Sequence, residues 1–204
     1  MFRNESAVEF ESSLERDFVI RQEFFLGVLD VVSQPCEIPF RLANGREFTY
    51  TPDFLVYYRL GSQTYETYPK PLLVEVKPAA LWRQNWRKWL TKWKAAHRYA
   101  QTMGWRFHIL DESRIRDTTF ENIAFLQPYA RMAFDEAESE WIVSALRDIG
   151  SASVDHLLAT HFMGIYRANG ISHLWHLLAT RRLDCDITRP LNHQTELWVA
   201  DHGI

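Results

Sequence analysis

Residues 47–59 read EFTYTPDFLVYYR and residues 72–80 read LLVEVKPAA. Both are aromatic and β-branched runs of strand length. Each carries charge inside its apolar run: Asp53 in the first, Glu75 and Lys77 in the second. An unpaired charge on a half-buried strand is costly, so these groups must be paired, neutralised or bound to a metal. Glu75 and Lys77 are two residues apart and point to one face of their strand, with Val76 on the other. Asp53 follows Pro52 on a neighbouring strand and reaches the same point. Two carboxylates converging there repel each other unless a cation lies between them. A hard divalent ion with oxygen ligands meets that need, Mg2+ above all, with Mn2+ as a substitute. Lys77, an ammonium, ligates no metal but can orient an attacking water or stabilise charge on a phosphoryl oxygen. The pattern points to metal-assisted phosphodiester hydrolysis. A surface hairpin whose polar residues face solvent would carry the same letters.

The neighbouring stretches supply context. Residues 11–29 read as a helix, with Ser12 as N-cap and Glu15 as its N3 partner in a capping box. Leu14, Phe18, Phe25 and Val28 then fall near one face. Glu15 is either that cap or a further metal ligand supplied by the helix. Residues 30–42 predict a strand interrupted at Pro35, the Asn44-Gly45 pair a hairpin turn, and residues 47–60 the returning strand. A loop over 61–71 leads to a short buried strand, 72–77, ended by Pro78. A helix over 81–104, closed by Gly104, a strand over 105–110, a loop starting at 111 and a helix near 118–127 follow. The order is αβββαβ, an α/β fold around a mixed sheet.

The acidic segment FDEAESE, 134–140, opens a helix running to Gly150 and sets the expected domain boundary near 131, giving domains 1–130 and 131–204. Beyond it, two short helices (from 153 and from 170) and two short strands (184–190 and 195–201) fit a winged-helix-like module. Its second helix would be the recognition helix if the module binds DNA. Arg181 and Arg182 end that helix, where cations suit the dipole. His156, His161, His173 and His176 have helical spacing, but no nearby cysteines or carboxylates complete a zinc set, and they read as surface or partly packed residues.

Composition narrows the setting. With 204 residues and 47% hydrophobic content the chain can build one large domain, or two with real cores. A net charge of −3 excludes a general polyanion binder, so any nucleic-acid contact must come from a local patch. Cys36 and Cys185 are far apart in sequence, which gives no disulfide framework or zinc pattern and suggests a reducing cytoplasm. The start MFRNESAVEF has no long apolar stretch, so no signal peptide is expected, and no apolar run approaches membrane-spanning length.

SSLERDF around Glu15, TYTPDFLVYY around Asp53 and LLVEVKPAA around Lys77 resemble the TnsA family, the endonuclease subunits of heteromeric cut-and-paste transposases. That family is a branch of the restriction-endonuclease-like PD-(D/E)xK superfamily. The spacing from Leu14-Glu15 to Leu29-Asp30 also fits it. The family's helix glutamate falls on Glu15, its strand aspartate on Asp53 and its lysine on Lys77. Glu75 departs from it, since the family can carry glutamine there. The resemblance covers residues 1–130 by order of elements, and the C-terminal module only by its layout. It implies catalytic residues Glu15, Asp53, Glu75 and Lys77. It also implies a metal held by Glu15, Asp53, Glu75 and the main-chain carbonyl of Val76. Such an enzyme would cut the 5′ ends of a transposon beside a DDE transposase of TnsB type and an AAA+ ATPase of TnsC type.

The helix after Lys77 carries Trp82, Trp86, Trp89 and Trp93 on one stripe, read as core or a subunit contact. Arg83, Arg87, Lys94 and Arg98 lie on an adjacent face, and no acid occurs between Lys77 and Arg106. A charge run is ordinarily a solvated face. Its position after the catalytic lysine of an acidic protein favours contact with DNA phosphates. A free-standing restriction or repair nuclease of the same superfamily, and an inactive adaptor on a vestigial nuclease fold, remain the other readings.

Overall fold

Ser12 starts the first helix as expected. Its hydroxyl accepts from the Glu15 amide at 3.2 Å, and α1 runs Ser13–Phe24. The computed structural model describes residues 8–61, 63–64, 66–162 and 167–201. The helix ends before the expected 29, because Phe25 turns extended (φ −80°, ψ 118°). Val28, expected on the helical face, instead opens strand β1, Val28–Ser33, and is buried there.

Proline then divides both expected strands. Pro35 separates β1 from β2 (Ile38–Arg41), and Pro52 separates β3 (Glu47–Tyr50) from β4 (Phe54–Tyr58). Proline donates no ladder hydrogen bond, so one long hairpin becomes two pairings. β2 and β3 form a two-stranded ribbon closed at Gly45, whose φ of 81° suits glycine. β1 and β4 join β5 (Leu72–Val76) and β6 (Arg106–Leu110) in a sheet of order β1-β4-β5-β6, in which only the β5–β6 pair is parallel. The crossover between β5 and β6 is α2, Ala79–Thr102. Residues 112–115, expected in a loop, form the short helix α3, Glu112–Ile115, because Asp111 caps it through the Ser113 amide at 3.1 Å.

The sheet is covered on both faces. Phe18 of α1 packs on Phe54, Val56, Val74 and Val76, with Ile115 of α3 in the same cluster. On the other face Leu55 and Leu73 meet Ile38, Tyr50 and the α2 residues Trp93, Ala96 and Ala100. The alternation along β4 and β5 therefore turns Phe54, Val56, Val74 and Val76 toward α1, and Leu55, Leu73 and Glu75 toward α2.

The chain divides into two compact units between Arg116 and Asp117. The expected boundary near 131 assigns α4 (Thr118–Ala130) to the first domain, yet α4 belongs to the second unit. It packs against α7, Arg167–Ala179. Its Asn122 side chain donates to the Ile187 and Arg189 carbonyls at 2.9 and 2.7 Å, binding it to that unit.

The second unit adds α5 (Glu136–Ile149), β7 (Ser151–Ser153), α6 (Val154–His161), β8 (Leu183–Asp184) and β9 (Glu196–Val199). Its antiparallel sheet has the order β7-β9-β8, and β7 has no counterpart in the sequence reading. Leu146, Val154, Leu157, Leu174, Leu178 and Leu197 are fully buried in it. His173, expected near the surface, is 1% exposed and pairs with Ser139 Oγ at 2.8 Å. Arg182 is bound to Glu136 and Glu140, and Arg181 to Asp184, so these arginines hold their own unit together. The expectation of no signal peptide falls mostly on residues 1–7, outside the described residues, as does Met163 at the end of an expected helix. Among the described residues no helix is long and apolar enough to cross a membrane.

The packing of α1 rests on Phe18, 1% exposed and stacked on Phe54 at 5.1 Å. Phe18→Ala should destabilise the protein by about 3–5 kcal/mol, the cost of a large cavity in a close-packed core. A shifted midpoint in urea denaturation measures it.

Candidate active site

Antiparallel pairing of β4 with β5 sets Phe54 against Val74. Continued one step, that register places Asp53 opposite Glu75, with Lys77 just past the end of β5. The Val76 amide donates to Asp53 Oδ2 at 2.7 Å, and Lys77 Nζ lies 3.4 Å from the same oxygen. Lys77 Nζ is 3.7 Å from Glu75 Oε1. The structure thus brings Asp53, Glu75 and Lys77 to one end of the sheet.

Asp53 is pushed up to about 6 by burial and by the Glu75 charge, which together outweigh Lys77 and the Val76 amide. Burial alone would lower the Lys77 ammonium, but Glu75 and Asp53 hold it above its ordinary value. Lys77 is therefore fully charged at neutral pH, while Asp53 carries an incompletely compensated negative charge.

Glu15 and Asp53 line one cleft of about 620 Å3 together with Val8, Glu9, Phe10, Glu11, Gln34 and Thr51. Gln34 stands there in a left-handed conformation (φ 47°), its amide donating to the Asp53 carbonyl at 2.9 Å. Glu15 also forms the capping box. Its Oε1 accepts from Ser12 Oγ at 2.9 Å and its Oε2 from the Glu11 amide at 2.7 Å. Both readings of Glu15 therefore meet in one side chain, a cap whose carboxylate borders the Asp53 cleft. Asp17 keeps α1 in place: 4% exposed, it accepts from Arg116 Nε at 2.7 Å and Arg16 Nη2 at 2.9 Å.

Glu75 lies deeper, against α2. Its side chain is 1% exposed, Oε1 accepts from Lys92 Nζ at 2.9 Å, and Oε2 accepts from the Tyr50 hydroxyl. Lys92 and Tyr50 were missing from the sequence reading. Lys92 sits nine residues after Arg83, about half a turn around the helix from it, which separates it from the outer cations. That offset is the signal the sequence held; nothing in the sequence pairs Tyr50 with Glu75.

The donors fit a hard divalent cation in part. Glu15 and Asp53 line one acid-rich cleft, and hard oxygen donors of this kind suit such an ion. Glu75 does not join them in this arrangement. Among the described residues no three acidic, histidine or cysteine side chains are gathered around one point.

Arg83, Arg87, Lys94 and Arg98 are exposed on α2, and among the described residues none forms an ion pair. Of the tryptophan stripe, Trp93 is buried and Trp82 and Trp89 pack against the same cluster, whereas Trp86 remains 45% exposed with Arg87 over its ring at 5.4 Å. The start of α2 lacks a side-chain cap of its own, and Glu112 supplies one, accepting from the Ala79 amide at 2.8 Å.

Because the folded Asp53 carboxyl binds its proton more tightly than the unfolded one, its penalty is absent below about pH 4 and complete above about pH 6. Asp53→Asn carries no such charge. In metal-free buffer it should stabilise the protein by about 1–3 kcal/mol at pH 8, with the gain vanishing at pH 4. Urea titrations of both proteins across that range check the sign.

A family model described as TnsA-like endonuclease N terminal matches residues 27–112, and one described as TnsA endonuclease C terminal matches residues 114–187. The comparison with curated proteins gives no match. The first match spans Asp53, Glu75 and Lys77 and begins after Glu15. The two matches follow each other in order and meet within a few residues of the division between the two units. With its strand-borne acids and lysine in the first matched segment and its helical unit in the second, the chain belongs to the TnsA family of transposase endonucleases.

Proposed function

We propose that this protein is a Mg2+-dependent DNA endonuclease that cuts the 5′, non-transferred strands at transposon ends, with Mn2+ able to replace Mg2+. The observation that carries this reading is the Asp53–Lys77 contact beside the acid-lined cleft that Glu15 shares. Asp53 and Glu15 would hold the ion, with the Val76 carbonyl, and with Glu75 if it turned toward the cleft. When bound, the ion supplies Lewis-acid stabilisation of charge on the phosphoryl oxygens. Lys77 adds a fixed positive charge at the same end of the sheet, where negative charge builds in hydrolysis. Ionised Asp53 is the metal-binding form, so metal affinity should fall as pH drops through about 6.

DNA would be held by Arg83, Arg87, Lys94 and Arg98 of α2. Four exposed cations on a chain of net charge −3 give a local footprint and weak long-range steering. Position on the DNA then has to come from other subunits: a DDE transposase of TnsB type that cuts and joins the 3′ ends, and an AAA+ ATPase of TnsC type. Binding energy supplied by them would seat the scissile phosphate at Asp53. In the second unit, α6, α7 and the antiparallel strands support a winged-helix-like reading. Two free cysteines agree with work in a reducing cytoplasm.

Glu15→Gln separates ligand from cap. Glutamine serves equally at N3, so stability should change by less than about 0.5 kcal/mol. Cleavage should fall about a hundredfold or more, as loss of several kcal/mol of charge stabilisation implies. Unchanged cleavage would leave Glu15 as a cap only.

Asp53→Ala should abolish cleavage by the purified protein with its partners and leave the fold intact. In a complete transposition system the partner's 3′-end joining should continue while the 5′ ends stay attached to the donor. Products should then shift from simple insertions to donor–target cointegrates, visible in long-read sequencing. Mostly simple insertions from the mutant would mean that another nuclease cuts the second strand, and the assignment would fail.

A further inference from the structure

Glu75 is the acid of the cluster whose carboxylate is held by a lysine and a tyrosine of other elements. Lys92 Nζ donates to Oε1 at 2.9 Å and the Tyr50 hydroxyl to Oε2. The Lys92 ammonium is itself held: Nζ lies 4.5 Å from the Tyr50 ring centroid, 5.2 Å from Trp89 and 5.8 Å from Trp93. An ammonium against aromatic faces is stabilised by the ring quadrupoles, more so where water is excluded. Lys92 is 19% exposed and Glu75 1%, so the pair is poorly screened. Tyr50 thus serves twice, through its hydroxyl on Glu75 and its ring on Lys92.

We infer that Lys92 is a positioning residue that stands in for a divalent ion at Glu75, and that its hold on this carboxylate, shared with Tyr50, sets how tightly the cleft binds metal. This rests on the metal-dependent reading above. Continued one step, the strand register sets Glu75 across from Asp53, and Lys77 Nζ lies 3.4 Å from the Asp53 carboxylate and 3.7 Å from the Glu75 carboxylate, so Glu75 is within reach of an ion at Asp53. It can turn to that ion only by giving up Lys92 and Tyr50. Lys92 and the metal therefore compete for one carboxylate, and each weakens the other's hold by the same factor. Lys77, 3.7 Å from Glu75, remains as a counter-charge when Lys92 is removed, so the carboxylate is not left bare.

The test is Mn2+ binding by calorimetry on the purified full chain, with no DNA. Lys92→Gln should bind Mn2+ about five- to tenfold more tightly than wild type, the lower part of the usual range for coupled sites. Adding Glu75→Gln to Lys92→Gln should remove the gain. Tyr50→Phe keeps the ring under Lys92 and deletes only the hydroxyl donor, and it should tighten binding in the same direction. It serves as the independent variant should Lys92→Gln fold poorly. Wild-type binding that is lost in Asp53→Asn, together with unchanged or weaker Mn2+ affinity in both Lys92→Gln and Tyr50→Phe, would overturn the inference and leave the metal reading standing. Wild-type protein with no Asp53-dependent Mn2+ binding would overturn the metal reading, and this inference with it.

Discussion

A buried carboxyl group on the inner face of a central strand is the constraint around which the first unit is arranged. Glu75 occupies a position on β5 that packing alone would give to an aliphatic side chain, between Leu73 and the α2 helix. Removing a carboxylate from water costs several kcal/mol unless partners replace the lost hydration. Three groups do so here: Lys92 from α2, Tyr50 from the end of β3, and Lys77 from the end of β5. The ribbon, the crossover helix and the central sheet thus meet at one carboxylate. That explains why the ribbon, although not hydrogen-bonded into the main sheet, shares its core cluster with α2. Replacement of such a network by apolar groups is often tolerable for stability, so the network is weak evidence of a stabilising role.

Beside it is a second carboxylate under the opposite condition. Asp53 has one amide and one long lysine contact, and its proton affinity is raised first by burial and then by the charge of Glu75. The sheet register produces this asymmetry. Parity along β4 and β5 turns both acids toward the α2 side, but Asp53 stands just ahead of its strand, where the sheet ends and the cleft begins. One acid is inside and paired; the other is at the rim and under-compensated. A carboxyl raised by burial and a charged neighbour at the rim of a cleft is common in sites that perform acid–base or metal chemistry.

Helix α1 approaches the same rim from the other layer. Its N-terminus, rather than its middle, borders the cleft, and the capping box that starts the helix uses the very carboxylate that faces Asp53. Asp17, buried and clamped by Arg16 and Arg116, anchors this end of the helix to α3. Helix α2 divides its labour by angle. Trp93, Ala96 and Ala100 pack inward, Lys92 reaches Glu75, and Arg83, Arg87, Lys94 and Arg98 remain in solvent.

The sequence by itself determined the mixed α/β layout, the helix cap at Ser12, the strand position of Glu75 and the crossover helix ending near Gly104, whereas Asp53 and Lys77, expected on strands, stand just outside β4 and β5. Each follows from local rules: the period of two along a strand, the period of 3.6 along a helix, and the chemistry of caps. The tertiary structure decided what those rules do not reach. Proline interruption at residues 35 and 52 is local, but which fragments then pair is not, so the expected hairpin became two sheets. Helix α4 is expected with the first domain, but Asn122 binds it to the second unit through the carbonyls of Ile187 and Arg189, more than sixty residues away in the chain. Equally, Glu75 looks like a ligand in the sequence because its strand face is known, while its partners Tyr50 and Lys92 come from elements whose distance along the chain carries no record of their proximity. Long-range pairing of charges depends on the packed geometry of three elements at once, and only the folded chain specifies it.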